Sequence, residues 1–192
     1  VSDPDNQKGY LPGAFEQLAT AESHTGFLEE SLAGDDLNGA RRHAEHVVNI
    51  LEGKEGEHYG DLDGSGLDEN PGDGFGVRNY LISAVEATQR ATEAATVSAN
   101  TPILAEQIRN NGDTTLTTLD NAIEKTLQIF AADTVEEAVT FRDELRSLLE
   151  QVRSGTDLDN NGAIDPTKNE GGLIHLYQDS LRLGEIPIFP VE

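Results

Sequence analysis

The 192-residue chain contains no cysteine, methionine or tryptophan, and each absence restricts what it can be. Without cysteine it has no disulfide bond and no thiolate metal ligand, so any metal site must use histidine, carboxylate or carbonyl groups. No apolar run approaches the roughly 20 residues that span a bilayer. Because methionine is missing even at position 1, we expect a processed chain from which a signal peptide has been removed.

Positive charge is also scarce. Thirteen Lys and Arg residues stand against 36 Asp and Glu residues, which gives a formal net charge of −23. Nucleic acids and anionic membrane surfaces would be repelled, whereas cations and basic protein surfaces, including those of a membrane-associated complex, would be attracted. The scarcity of lysine leaves two interpretations open, namely adaptation to a saline habitat and an ordinary acidic secreted protein.

Two acidic, glycine-containing loops dominate what the sequence does contain. Residues 61–73 read DLDGSGLDENPGD and residues 157–170 read DLDNNGAIDPTKNE. Each has glycine at its sixth position, where a sharp backbone turn is needed. Oxygen-bearing side chains occupy positions 1, 3, 5 and 9: Asp61, Asp63, Ser65 and Glu69 in the first loop, and Asp157, Asp159, Asn161 and Asp165 in the second. This spacing is typical of a site for a hard cation such as calcium.

The similarity between the two halves extends beyond these loops. A shift of about 98 residues aligns the apolar positions before the loops, for example Leu37 with Val135, and a shift of about 96 residues aligns Gly76 with Gly172 after them. The preserved order of these blocks predicts an internal duplication. We expect an N-terminal arm at residues 1–11, repeat 1 at 12–110 and repeat 2 at 111–192.

Apolar residues recur at three- and four-residue steps through most of the chain, and no useful stretch alternates as a strand would. Each repeat is predicted to contain two helices, an acidic loop and a third helix. Antiparallel packing then gives an all-α bundle of about six helices, with a four-helix core and two calcium-loop insertions. The turn-forming residues 110–113 (Asn-Asn-Gly-Asp) are predicted to separate the repeats.

Local signals predict several helix ends. Pro12 is suited to a first helical turn, and Gly34 is expected to stop that helix. Asp35 or Asp36 is expected to cap the second helix. Asp133, followed by Glu136, is close to a capping box for the second helix of repeat 2.

The acidic loops resemble those of the EF-hand and dockerin families, over about 13 residues each and not over the flanking helices. The resemblance implies two calcium sites, with side-chain or water-mediated ligands at positions 1, 3, 5 and 9 and the carbonyl oxygens of Leu67 and Ala163 at position 7. Position 12 departs from both families, because Gly72 and Lys168 stand there. Asp73 and Glu170 are expected to complete the two shells. The alternative is that both loops are ordinary solvated turns.

A second resemblance covers roughly residues 40–76. The segments HAEHVVNILEG, GDLDG and NPGDGFG are similar to sequences of uncharacterised bacterial extracytoplasmic helical proteins. This resemblance implies no activity, but it agrees with the compartment in which calcium is abundant. We therefore expect a periplasmic, cell-surface or secreted protein after removal of a signal peptide.

Three of the five histidines fall on the first predicted helical hairpin. His43 and His46 are one turn apart, and His24 stands at a comparable distance on the other side of the turn. Converging imidazoles would suit zinc or copper, or haem iron. The alternative is a structural role, because the repeat pairs His43 with Phe141, a core position, and His46 with Glu144, a surface position. We expect at least one of the three rings to point away from the others.

Catalysis has little support in the sequence. HAEH lacks the spacing of the HExxH metalloproteases, and there is neither a cysteine nucleophile nor a GxSxG elbow. We therefore expect not an enzyme but an extracytoplasmic calcium-binding helical protein with a structural or interaction role. The alternative is a carrier, sensor or electron-transfer accessory that uses His24, His43 and His46.

Overall fold

The computed structural model describes residues 8–93 and 101–184, and within these ranges the chain is an all-helical bundle without β-strands. Most of the predicted arm and the end of predicted repeat 2, at residues 185–192, lie outside these ranges. The α-helices are α1 (Tyr10–Ala33), α2 (Leu37–Glu52), α3 (Val77–Thr92), α4 (Thr101–Ala131), α5 (Val135–Ser154) and α6 (Leu173–Gly184), and a 3₁₀ turn spans Pro166–Lys168.

The hairpin of α1 and α2 has the ends that the sequence predicts. Pro12 lies in the first turn of α1, where a missing N–H costs no hydrogen bond, and Gly34 follows the last residue. The carboxylate of Asp36 accepts the N–H of Gly39 at 2.9 Å and caps α2. Helix α1 begins at Tyr10, so it includes the last two residues of the predicted arm.

The predicted turn at residues 110–113 is wrong, because α4 continues through it. Asn111 is fully buried, and its side chain binds the second acidic loop instead of turning the backbone. Its Nδ2 donates to the carbonyl of Pro166 at 3.1 Å, and its Oδ1 accepts the N–H of Gly171 at 2.8 Å. The proposed boundary between the repeats therefore falls inside a helix.

Gly112 has a packing role in the same segment. A Cβ at this position would lie only 2.5 Å from Cγ2 of Val85 on α3. Glycine therefore lets α4 approach α3 closely, and the packing outweighs the local tendency of Asn-Gly to form a turn.

The cap of α5 lies one residue later than predicted. Thr134, not Asp133, accepts the N–H of Glu137 at 3.2 Å, and the Glu137 carboxylate accepts the N–H of Asp133 at 3.0 Å. This pattern differs from a capping box, because the Glu137 carboxylate accepts the N–H of the residue before the cap and not that of Thr134 itself.

The core lies between α1 and α4, each of which packs against α2, α3 and α5, while α6 covers α4 and α5. Its largest fully buried side chains include Leu18, Leu28, Ile50, Tyr80, Leu119 and Leu145. Burying each such side chain contributes about 1.5–3 kcal/mol. Among the described residues, no helix is long and apolar enough to cross a bilayer.

The two acidic loops connect α2 to α3 and α5 to α6, and glycines hold each loop against the end of the preceding helix. A Cβ on Gly53 would lie 2.1 Å from the carbonyl oxygen of Phe75, and one on Gly155 would lie 2.2 Å from that of Glu170. Both glycines also have positive φ, at 77° and 113°. Larger residues are therefore excluded from both positions, and the start and end of each loop are brought together.

Candidate metal sites

The first acidic loop turns around its sixth-position glycine as predicted. Gly66 has a φ of 91° and donates its N–H to Oδ2 of Asp61 at 2.8 Å. Oδ1 of Asp63 accepts the N–H of Ser65, also at 2.8 Å. These bonds orient the first and third carboxylates of the loop.

The carboxylate that completes this group comes from α2. Glu45 is only 1% exposed, and its carboxylate accepts the backbone N–H groups of Leu62, Asp63 and Glu69 at 2.8–3.0 Å. One oxygen each of Glu45, Asp61 and Asp63 lies within 4.8 Å of the other two. Glu45 is therefore both the support of the loop backbone and a candidate ligand.

Glu45 was not among the ligands predicted from the sequence, and Asp73 was expected in this role. Asp73 instead accepts the hydroxyl of Tyr80 at 2.7 Å and the N–H of Phe75 at 2.9 Å, so it joins the loop to α3. Glu45 could have been suspected from its helical position, because it stands three residues before the core residue Val48. A carboxylate on a buried helix face requires polar partners, and the loop amides supply them.

In the second loop the carboxylate beside the two aspartates is that of Glu170, the residue predicted as a ligand of this loop. It is fully buried. Oε1 accepts the N–H groups of Leu158 and Asp159 at 3.1 and 3.3 Å, and Oε2 accepts that of Asp165 at 2.8 Å. One oxygen of Glu170 lies within 4.8 Å of one each from Asp157 and Asp159.

The two loops therefore share one arrangement. In each, the backbone N–H groups at positions 2, 3 and 9 donate to a single buried glutamate, and that glutamate stands beside the carboxylates of positions 1 and 3. The glutamate comes from different parts of the chain, since Glu45 precedes its loop by 16 residues and Glu170 ends its own loop. Tertiary packing places the two carboxylates equivalently.

The remaining expected ligands make local bonds. The Ser65 hydroxyl bonds both the N–H and the carbonyl of Leu67, at 3.3 and 3.4 Å. Asn161 Oδ1 accepts the N–H of Ala163 at 2.8 Å. The Asp165 carboxylate accepts the hydroxyl of Thr167 at 2.7 Å and its N–H at 3.0 Å, and these two bonds lower the pKa of Asp165. Of these residues only Asp165 carries a carboxylate, and it lies outside the group formed by Asp157, Asp159 and Glu170.

A basic side chain lies beside each carboxylate group. Nζ of Lys168, which stands at position 12 of the second loop, is 2.6 Å from Oδ2 of Asp159 and lowers the pKa of that carboxyl group. In the first loop, Nε of Arg42 lies 3.9 Å from Oδ2 of Asp63. A cation entering either site would compete with these side chains for the same carboxylate oxygen.

The three histidines point at one another across the α1–α2 hairpin, so the expectation that at least one ring points away is wrong. Nδ1 of His24 lies 3.3 Å from Nδ1 of His43 and 3.1 Å from Nδ1 of His46. The three ring centroids are 4.7–5.5 Å apart. We call His24, His43 and His46 the histidine cluster.

The burial of the cluster also differs from the prediction. His46 was paired with the exposed Glu144, yet it is only 8% exposed, and His43, paired with the core position Phe141, is half-buried. Glu144 on α5 instead reaches out to Lys125, with a 2.6 Å ion pair. The faces of α2 and α5 that the sequence alignment pairs have different neighbours, so the alignment does not predict which side is buried.

The buried His46 also contacts the first acidic loop. Its Nε2 lies 3.2 Å from Oε2 of Glu69, the ninth residue of that loop. An ionised carboxylate has no hydrogen to donate, so the proton between them belongs to Nε2. In a neutral ring the lone pair is then on Nδ1, which lies 3.1 Å from Nδ1 of His24, and this is the tautomer that a metal ligand requires.

Burial, and then repulsion from His46 and His43, lowers the pKa of His24 to about 4. Burial likewise lowers the pKa of His43, with His46 and Arg42 adding to the effect. Both rings are therefore neutral at pH 7. A neutral imidazole keeps the lone pair that a metal ion needs, whereas a protonated ring does not.

We expect the metal-free protein to lose stability as the pH falls from about 6.5 towards 4. In this window the unfolded His24 binds a proton and the folded one does not, so the free energy of unfolding rises with pH. Since the ring is only part-buried, solvent screening reduces the effect to about 1 kcal/mol. Urea unfolding of the wild type and His24→Ala at pH 7.5 and 5 measures this loss of stability. A difference in stability between the two proteins that is the same at both pH values would contradict the prediction.

The other two histidines, His58 and His175, have surroundings that the sequence did not predict. His58 binds Glu52 through both its backbone N–H and its Nδ1, each at 2.7 Å. His175 lies on α6, and its buried Nδ1 has no hydrogen-bond partner among the described residues. Neither residue lies in the histidine cluster or in a carboxylate group.

Comparison with known proteins gave no significant match to any family model, curated protein or solved structure. The function must therefore be argued from the chemistry of these three groups of side chains.

Proposed function

We propose that this chain is a calcium-binding helical protein in which two ions fix the acidic loops to the bundle, and that its role is structural or protein-interacting. The observation that carries the proposal is the convergence, in each loop, of two aspartates and a buried glutamate. Carboxylate oxygens on a turning loop are the ligands that calcium prefers, and calcium also accepts backbone carbonyl and water oxygens.

The EF-hand or dockerin resemblance and the duplication belong to the same proposal. They are supported by the shared hydrogen-bond pattern of the loops, by the glycines that follow α2 and α5, and by the positive φ of Gly66 and Gly162. In this proposal the role of the missing position-12 ligand is taken by Glu45 in the first site and by Glu170 in the second.

We further propose an extracytoplasmic location. Loops of this kind are occupied most easily where calcium is abundant, and the absence of cysteine requires no particular redox environment. The net charge of −23 favours a basic protein surface as a macromolecular partner. Such a surface could belong to a soluble protein or to a membrane-associated complex.

Calcium is expected to raise the melting temperature by several degrees. An ion that binds only the folded state at a hundredfold excess over its Kd stabilises it by about 2.7 kcal/mol. Melting curves should be recorded in metal-stripped buffer, with calcium, and with magnesium at matched ionic strength. Isothermal titration calorimetry should give two calcium ions per chain, and one in Asp61→Asn or Asp157→Asn.

The exposed Asp68→Asn, in the first loop but outside its carboxylate group, is the matched control and should keep both ions. Melting curves that do not respond to calcium, together with no calorimetric binding, would refute the calcium proposal.

A second candidate function, transition-metal binding at the histidine cluster, is favoured by the convergence of its three nitrogens. Three imidazoles with a free fourth position suit zinc or copper. Haem is disfavoured, because ring centroids 4.7–5.5 Å apart leave no room for a macrocycle between any two rings. Competition of metal-stripped protein with a chromophoric zinc indicator tests this function, and no zinc taken from the indicator would refute it.

A further inference from the structure

The first acidic loop and the histidine cluster are built from adjacent residues. Glu45 supports the loop, and His46, the next residue of α2, belongs to the cluster. Both residues are buried. A displacement of α2 at this turn would therefore alter both groups of side chains.

Glu69 forms a second and more direct connection between them. Its carboxylate accepts a hydrogen bond from Nε2 of His46 at 3.2 Å. A carboxylate in this position orients a metal-binding imidazole and increases its basicity, and loss of such a partner typically weakens metal binding 10–100-fold.

The loop fixes the position of Glu69. The backbone N–H of Glu69 donates to Oε1 of Glu45 at 2.9 Å, and the Glu69 carbonyl accepts from Nδ2 of the fully buried Asn49, also at 2.9 Å. Ordering the loop therefore orders the hydrogen-bond acceptor of His46.

We propose that Glu69 couples the two sites, so that calcium in the first acidic loop increases the affinity of the histidine cluster for a transition metal such as zinc. This inference rests on the proposed calcium site in that loop and adds its regulation. Calcium attracts the carboxylates of Glu45, Asp61 and Asp63, and the ordered loop then holds Glu69 against His46. Glu69 also places negative charge between two cations that would otherwise repel each other.

The coupling must be reciprocal. If calcium tightens zinc binding by some factor, zinc tightens calcium binding at the first loop by the same factor. The second acidic loop lacks this connection, because its ninth residue, Asp165, binds Thr167. The protein therefore contains an uncoupled site for comparison.

The test is a zinc titration against a chromophoric competitor, in metal-stripped buffer and again in saturating calcium. We expect calcium to tighten zinc binding by about five- to tenfold, which lies within the usual range of coupling between two sites. Magnesium at matched ionic strength should have a much smaller effect. No difference between the calcium-free and calcium-saturated titrations would overturn the coupling.

Three variants test whether the coupling acts through Glu69. Glu69→Ala should bind zinc about tenfold more weakly without calcium and should lose the response to calcium. The adjacent Asp68→Asn, whose side chain is exposed, should keep both properties. Asp157→Asn should lose one calcium and keep the coupling. A Glu69→Ala protein that still responds fully to calcium would overturn the assignment of Glu69.

Failure of the coupling is distinguishable from failure of the sites. If calorimetry shows calcium binding but zinc binds equally with and without calcium, the proposed function stands and the coupling falls. If calcium does not bind at all, the proposed function falls and the coupling falls with it.

Discussion

Glu170→Ala is expected to destabilise the protein by about 3 kcal/mol and to remove one calcium. The fully buried Glu170 carboxylate accepts three backbone N–H groups. Leaving a buried donor unsatisfied costs about 1–3 kcal/mol each, and water entering the vacated space at the loop would recover part of this. The same carboxylate is a candidate calcium ligand, so both effects arise at one residue.

Glu170→Gln separates the two effects. Its side-chain oxygen can still accept backbone hydrogen bonds, so we expect a smaller loss of stability, about 1 kcal/mol, but the same loss of calcium. Urea unfolding with and without calcium measures the stability, and calorimetry gives the stoichiometry. The exposed Glu106→Ala on α4 is the control. Unfolding of Glu170→Ala at the wild-type urea concentration would contradict the structural role.

His46→Ala is expected to weaken zinc binding at least about 100-fold, or roughly 2.7 kcal/mol. It removes one of three candidate ligands together with the Glu69 hydrogen bond, and loss of the partner carboxylate alone typically costs 10–100-fold. His46 is the most buried of the three rings, whereas His43 is half-buried. His43→Ala should therefore lose comparable affinity with less disturbance of the core.

Circular dichroism of each variant establishes that the helices are intact before zinc competition is measured. His58→Ala is the matched control, because His58 is paired with Glu52 away from the cluster. It should bind zinc as the wild type does. Equal zinc affinity in wild type, His46→Ala and His43→Ala would show that the cluster is a structural feature of the hairpin.

The helices were largely predictable because their signals are local. Apolar spacing identified their buried faces, and Gly34 and Asp36 mark ends that the structure confirms. The turn at residues 110–113 was predicted wrongly for a physical reason. The Asn-Gly pair forms turns in isolation, but here the amide of Asn111 binds the second loop and the helix continues.

The residues of the candidate sites also fall into two kinds, those that local spacing predicts and those that only the fold brings together. The first and third aspartates and the sixth-position glycine of each loop follow from spacing, because ligands close in sequence converge within one turn. Glu45 does not, since it reaches its loop from a helix 16 residues upstream. The alignment of the two halves could not supply it either, because the second loop obtains its glutamate from its own end.

By itself, the sequence determined an acidic, cysteine-free, all-helical chain with two acidic, glycine-containing loops, because these features can be read from composition, periodicity and loop spacing. Only the tertiary structure decided that His24, His43 and His46 face one another and that Glu69 of the first loop meets His46. The direction of a side chain depends on the rotation of its helix against its neighbours. That rotation is set by the packing of the whole bundle rather than by any one segment.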